Sequence, residues 1–453
     1  MNAASCKRTC AAGLGMGSLH AWTFAALIGG AAAHRAFFES AGMPIHWLCF
    51  SAASLATWLL LCRSSASGPR NERMLSFSLM QAAGTMLMVG AGALQGKEGI
   101  PQQAWTVLVV GSCLAGAGSA LQIASWGARL RTMTPCETTA ATSLSFLLGA
   151  LGAIGIGAIP EPVSILALCT LPLASGWCAH RDIRVGETAE QSASAAHDAV
   201  SAPSGRAQAA TLLFCSGLAF GVLGVSMQPF APDNLTMLAN LLTAACAGIA
   251  LVVGVRARDG AAFGDRLIKS TIAAIAFGIA AVPLFGAGSA LMALPFAGIR
   301  LLDLTAWAVF SHWKDEPGSF VSSTFVAGRL AINGGTFVGM AAAMPLVRSS
   351  DADIPLSLVS AGLLVILMVA SAAYFERFSV SSRDRMAAYR TGDLAAAHGK
   401  EDPFCALYGI EPEQLLLLER LVAGRSGAVS PKSSPSRKQP SERAQPPSTA
   451  RSA

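Results

Sequence analysis

The chain has 453 residues, of which 53% are hydrophobic and only 13% charged, with a formal net charge of +6. Soluble domains carry about 25% charged residues, so this composition excludes an ordinary soluble enzyme. It points to an all-α membrane protein, in which the 45 glycines let helix backbones approach closely. The positive charge is explained by where the basic residues lie, so it does not mark a nucleic-acid surface.

A helix needs roughly 20 apolar residues to cross the ~30 Å hydrocarbon core. Twelve stretches qualify in chain order: 12–33, 43–62, 74–94, 103–127, 139–159, 162–180, 209–229, 234–254, 267–286, 289–311, 322–345 and 354–375. Lys7 and Arg8 before the first stretch, with Ala31–Ala33 after it, have the outline of a secretory signal. The many stretches that follow favour an uncleaved first helix. Pro160-Glu161-Pro162 and Gly286-Ala287-Gly288 each divide two neighbouring stretches, as a tight turn or as a break in one helix.

Orientation follows from Lys and Arg in the connections. With the N-terminus in the cytoplasm, the inner segments carry fifteen basic residues, from Lys7 and Arg8 to Lys314, and the outer loops carry three, Arg35, Lys97 and Arg348. The C-terminus is then cytoplasmic too, and the cell (cytoplasmic) membrane is the expected location.

Residues 1–180 form a first six-helix half, 181–208 a cytoplasmic linker rich in Ala, Ser and Glu, and 209–376 a second six-helix half. Residues 377–426 form a charged linker with a short helix, and 427–453 a basic tail predicted to be disordered. The region 377–453 holds 20 of the 58 charged residues, so composition shifts sharply at its start.

Eleven cysteines are scattered through the chain without a CxxC pair or a Cys/His cluster, so neither a metal nor a cofactor is expected. Nor are HExxH, GxSxG or paired carboxylates in one span present, which argues against an enzyme.

Ionisable groups inside a span are costly and mark functional candidates. Arg300 and Asp303 occupy the tenth stretch at i, i+3 spacing, on one helical face. Arg329 and Asn333 occupy the eleventh. The four form a candidate site for a small ligand, and two Arg against one Asp leave a positive surplus suited to an anion. The same pattern also fits an internal ion pair that locks the two spans together. His20 and His46 are candidates for a proton relay or for packing. Gln81, Gln122, Asn240 and Asn333 suit helix-to-helix hydrogen bonds, and Gly217/Gly221 and Gly335/Gly339 suit close helix contacts.

The arrangement of six spans, a cytoplasmic linker and six more resembles the major facilitator superfamily. That resemblance implies a 6+6 bundle binding a ligand near the bilayer midplane. The superfamily's basic motif after the second helix is missing from Arg63–Arg73, and Gly264-Asp265-Arg266 is a partial counterpart in the second half.

Pro412, Glu411 and Glu413 open a three-turn amphipathic pattern that Gly424 closes. Ile410, Gln414, Leu417, Leu418, Leu421, Gly424 and Ser426 resemble the first helix of a LuxR-type helix-turn-helix domain. Together with the bundle, this resemblance implies a membrane-embedded sensor and transcriptional regulator; the alternative is a secondary transporter for a small molecule. The scanning and recognition helices should follow, but Gly427–Ala453 holds five Pro and seven Ser, as a truncated or frame-shifted ending would. Sequence-specific DNA is therefore not an expected partner; the expected partners are the bilayer and a small ligand. The oligomeric state is left open.

Overall fold

A computed structural model describes residues 3–28, 45–63, 73–94, 101–186, 206–227, 233–256, 260–285, 290–310, 323–348 and 356–390. Nearly all of them belong to one compact unit, Met1–Ala387. The described residues form twelve α-helices: α1 Ala3–Trp22, α2 Ile45–Arg63, α3 Met74–Ala93, α4 Gln102–Leu130, α5 Pro135–Ala158, α6 Glu161–Gly186, α7 Arg206–Met227, α8 Asp233–Arg256, α9 Gly260–Phe285, α10 Ala293–Phe310, α11 Ser323–Arg348 and α12 Leu356–Arg390. A π-helical turn, Thr23–Ile28, continues α1, and a 3-10 turn, Ala290–Met292, leads into α10.

Among the described residues, nine of these helices are long and apolar enough to cross a membrane. α1, α9 and α11 fall outside that count. The first turns of α1 carry Lys7 and Arg8, so its apolar part is shared with the π-helical turn. α9 qualifies only over the shorter stretch Leu267–Ala281, and α11 is diluted by Arg329 and Asn333. Large apolar side chains face outward on the long helices: Leu166 and Trp177 on α6, Ile249 and Val252 on α8, Leu358, Val365 and Val369 on α12. Water would penalise such surfaces and lipid does not, so the chain is a multi-pass membrane protein.

The helices pack in two sets with the same pattern. In the first half α1 lies on α5, α2 on α4, and α3 on α4. In the second, α7 lies on α11, α8 on α10, and α9 on α10. Adding six to each helix number turns the first set into the second. Across the halves α5 packs on α8 and α2 on α11, and the same operation exchanges those two contacts. The contacts of α1–α5 and of α7–α11 thus follow a pseudo-two-fold arrangement, with the interface between the two sets formed chiefly by α2, α5, α8 and α11.

Small residues make the tightest of these contacts. A Cβ on Gly217 or Gly221 of α7 would strike the carbonyl oxygens of Ile332 or Thr336, and one on Gly335 or Gly339 of α11 those of Phe214 or Leu218. The two GxxxG pairs therefore face each other inside one chain, backbone against backbone. Polar pairs add directional bonds in the first half. Gln122 donates to Gln81 Oε1 at 2.6 Å, joining α4 to α3. Trp22 Nε1 donates to Thr85 Oγ1 at 3.0 Å, and Trp126 Nε1 to Ser175 Oγ at 3.0 Å.

At the start of α5 a capping box closes on Thr134 and Glu137, with Pro135 in the first turn. The Glu137 carboxylate also accepts two 2.8 Å bonds from Arg8 Nη2 and one from Ser5, which ties the first turns of α1 to α5. The break at Pro160 is a tight turn. α5 ends at Ala158, Ile159 is extended, and Val163 and Ser164 donate to the Pro160 carbonyl at 3.0 Å to start α6. Gly286–Gly288 lie outside the described residues, as do 187–205 of the linker.

The glycine seam makes a specific prediction. Gly335→Ala and Gly221→Ala should each destabilise the bundle by about 1–3 kcal/mol through overpacking. Gly362→Ala, where nothing lies within 4 Å of the added carbon, should be neutral or slightly stabilising. Thermal unfolding of the detergent-solubilised variants reads the difference.

Candidate functional site

The candidate residues gather between the two halves. Arg300 and Asp303 come from the middle of α10, and Arg329 and Asn333 from the first half of α11. Both arginines are buried, at 4% and 5% exposure. A guanidinium keeps its charge even when buried, so each must find partners within the protein.

Asp303 serves Arg329. Arg329 Nη1 donates to Asp303 Oδ1 at 2.5 Å, bridging α10 and α11. The i, i+3 neighbour Arg300 turns instead to α8, where Nη1 donates to Asn240 Oδ1 at 2.5 Å. Asn333 is held by its own helix through a 2.8 Å bond from Nδ2 to the Arg329 carbonyl. Its Oδ1 accepts from Ser54 Oγ of α2 at 3.3 Å, across the interface between the halves. Asn333 thereby braces the turn of α11 that carries Arg329.

Aromatic rings surround both guanidinium groups. The π-helical turn presents Phe24, whose ring centroid is 4.2 Å from Arg300 Cζ. Trp307, one turn beyond Asp303 on α10, is 4.3 Å from Arg329 Cζ, and Phe325 of α11 is 5.2 Å away. Such contacts attract a cation through the ring quadrupole. His20 of α1 links the two ends, with ring centroids 4.2 Å from Phe146, 5.9 Å from Phe24 and 5.9 Å from Trp307. Trp58 of α2 closes the far side against Phe325 at 6.3 Å. The cluster therefore draws on α1, α2 and α5 of the first half and on α8, α10 and α11 of the second.

Several donors in this cluster have no partner among the described residues. They are Nε and Nη2 of Arg300, Nη2 of Arg329 and Nε1 of Trp58; Nδ1 of His20 is also unpartnered. Buried polar atoms are rarely left so, and three of these belong to the two guanidinium groups. With one carboxylate between two guanidinium groups, the cluster also holds a formal surplus of one positive charge. An arrangement of this kind can receive an anion and can hold it against an apolar wall.

Sequence patterns marked Arg300, Asp303, Arg329, Asn333 and His20 because charge and imidazole inside apolar stretches stand out. They did not mark Phe24, Phe146, Trp307, Trp58 or Phe325, because aromatic residues in an apolar helix carry no such signal. His46 is buried at the start of α2. Residues 410–426, with Ile410, Gln414, Leu417, Leu418, Leu421, Gly424 and Ser426, lie outside the described residues.

No known sequence family matches the chain, and no curated protein matches it in sequence. Solved structures do match in fold. The human organic anion transporter MFSD10 (TETRAN) is similar with a TM-score of 0.56 and 12% identity, over 82% of this chain and 100% of that one. A bacterial homologue of the iron transporter ferroportin, in an outward-facing state, is similar with a TM-score of 0.59 and 13% identity, over 83% and 99% of the two chains. The proton:xylose symporter XylE of the major facilitator superfamily, bound to 6-bromo-6-deoxy-D-glucose, is similar at 0.53 and 10%, over 83% and 95%. The fold is therefore that of major facilitator transporters.

This overturns the sensor-regulator expectation. The bundle has the fold of proteins that carry solutes, and no helix-turn-helix family matches any part of the chain. The LuxR resemblance rested on seventeen residues from Ile410 to Ser426. Three amphipathic turns with an N-terminal Pro and a C-terminal Gly meet the requirements of any short surface helix, so that pattern does not specify a DNA reader.

The ion pair can be tested by removal. Asp303→Ala should cost about 3–5 kcal/mol of stability, because it leaves Arg329 buried without a counter-charge. Asp303→Ala combined with Arg329→Leu should recover most of that loss, and the two melting temperatures compared with the parent protein decide it.

Proposed function

We propose that the chain is a secondary transporter of the major facilitator type for a small, negatively charged molecule. It crosses the cell membrane twelve times, with both ends in the cytoplasm, and the ligand binds at Arg300, Asp303, Arg329 and Asn333 between the halves. The observation that carries this reading is the buried positive surplus with unpartnered donors on the interface of two pseudo-symmetric repeats. A transporter's ligand site belongs at such an interface, where rocking of one repeat against the other exposes it alternately to the two sides.

Burying a guanidinium is expensive, and a charge without an internal partner is the more so. A purely structural use of Arg300 would be served by a neutral side chain bonded to Asn240. Retaining a cation there suits a ligand that supplies the missing negative charge. The printed description of one fold relative as an organic anion transporter agrees with that choice. The interfacial bond between Ser54 and Asn333 spans the two halves, so it must break and re-form as the halves rock.

The test is solute flux in proteoliposomes made with the purified chain, comparing small organic anions, inorganic anions and neutral sugars. Saturable flux of at least one organic anion is expected, with Arg300→Gln and Arg329→Gln each lowering it tenfold or more. A chain that moves only neutral solutes, or whose anion flux is indifferent to both arginines, does not work this way. Reporter fusions at the two termini should give cytoplasmic signals; a periplasmic signal from either would refute the orientation.

A further inference from the structure

One face of α2 carries a tryptophan near each end. Trp47 and Trp58 are eleven residues apart, which is about three helical turns, so they point the same way. Both are buried, and each meets a ring from the second half. Trp47 stands edge-on to Phe220 of α7 at 5.5 Å, and Phe220 in turn meets Phe296 of α10 at 5.8 Å. Trp58 meets Phe325 of α11 at 6.3 Å, and Phe325 meets Trp307 of α10 at 5.1 Å. Between the two contacts, on the same face of α2, Ser54 bonds Asn333.

The two ring contacts belong to opposite ends of the bundle. Trp58 is in the last turns of α2, Gly127 in the last turn of α4 and Phe325 in the first turn of α11. That is the end where Arg8 of α1 meets Glu137 of α5. Trp47 is in the first turn of α2, and Phe220 and Gly224 are in the last turns of α7. Backbone is cleared for a ring at each end. A Cβ on Gly127 would strike the Phe325 ring, and one on Gly224 would come within 2.7 Å of Trp47 Cη2. Each ring thus seats on a bare stretch of the other half's backbone, where any larger residue would hold the halves apart. Phe325 also lies one turn before Arg329, 5.2 Å from its Cζ, so this contact and the ion pair share one stretch of α11.

We infer that Trp47 and Phe325 are the two closing side chains of the seam along α2, and that the site stands here shut from both ends. Trp47 on Gly224 and Phe220 shuts the end away from the N-terminus. Phe325 on Gly127 and Trp58 shuts the end that bears it. Exposure to one side then needs only one of two separate contacts to part while the other stays. This inference rests on the transporter reading for its purpose, and it adds which residues separate the site from each side.

The test places a thiol between the closures by Ser54→Cys. A charged, membrane-impermeant maleimide is added to one side or the other of sealed vesicles. Modification of that peptide is read by mass spectrometry, so the native cysteines do not interfere. With no further change the thiol should react slowly from both sides. Phe325→Ala should raise the rate at least tenfold from the side bearing the N-terminus alone, and Trp47→Ala at least tenfold from the opposite side alone. Gly127→Ala and Gly224→Ala, which wedge the same two rings off their seats, should reproduce the two results. The glycine variants keep every core ring, so they decide the matter if a ring-deleted variant does not fold.

Fast reaction of the Ser54→Cys protein from either side would overturn the inference. So would a folded variant whose rate is unchanged or rises from both sides, or a comparable rise with Gly362→Ala, which touches neither ring. If one-sided opening is seen and no solute crosses proteoliposomes, the closures stand and the transporter reading falls. If solute flux is saturable and depends on the arginines while the labelling rates ignore all four seam substitutions, the closures are wrong and the transporter reading stands.

Discussion

Among the described residues, the guanidinium groups of Arg300 and Arg329 are buried beside the Asp303 carboxylate, and much else is arranged around that imbalance. Arg329 is neutralised by Asp303 and framed by Trp307 and Phe325. Arg300 has a neutral amide oxygen from Asn240 and the face of Phe24. Neither partner removes its charge. Hydrocarbon offers no other way to solvate a cation, so the position is tenable only where protein surrounds it on every side. The interface between two six-helix halves is such a place.

That interface depends on how closely the helices approach. α7 and α11 meet through facing glycines, so that added carbons would strike the opposite backbone. α2 reaches α11 through the Ser54–Asn333 bond and the Trp58–Phe325 contact. These contacts set the angle at which α11 presents Arg329 to Asp303. The π-helical turn after α1 does the corresponding work from the other half, placing Phe24 on Arg300. A π turn widens the helix locally and re-aims its side chains, which is why such turns recur at functional positions.

The same contacts give the site its two-sided character. Its aromatic wall is drawn from α1, α2 and α5 on one side and from α10 and α11 on the other. Among the described residues the seam is crossed by a neutral bond, Ser54 to Asn333, and by the Arg300–Phe24 contact. Such a hydrogen bond contributes about 0.5–1.5 kcal/mol. The charged bonds Arg329–Asp303 and Arg8–Glu137 each lie within one half, where motion need not disturb them.

Sequence by itself determined the class of the protein. Long apolar stretches, the scarcity of charge and the placement of Lys and Arg are additive properties of neighbouring residues, and they fix helices and membrane without any knowledge of packing. It also marked Arg300, Asp303, Arg329 and Asn333, because a charge or amide in an apolar run is conspicuous in one dimension. It misled at Ile410–Ser426, where a short amphipathic pattern suggested a sensor-regulator of the LuxR type. Only the tertiary structure decided which arginine takes Asp303, which leaves an edge of Arg300 open, and which rings surround it. The i, i+3 spacing permits an Arg300–Asp303 pair, yet Asn240 lies sixty residues away and Arg329 twenty-six away in sequence, and they win the two bonds. Hydrogen bonds of this kind are settled by which helix faces meet, and that depends on glycine seams and a repeat symmetry that act through space rather than along the chain.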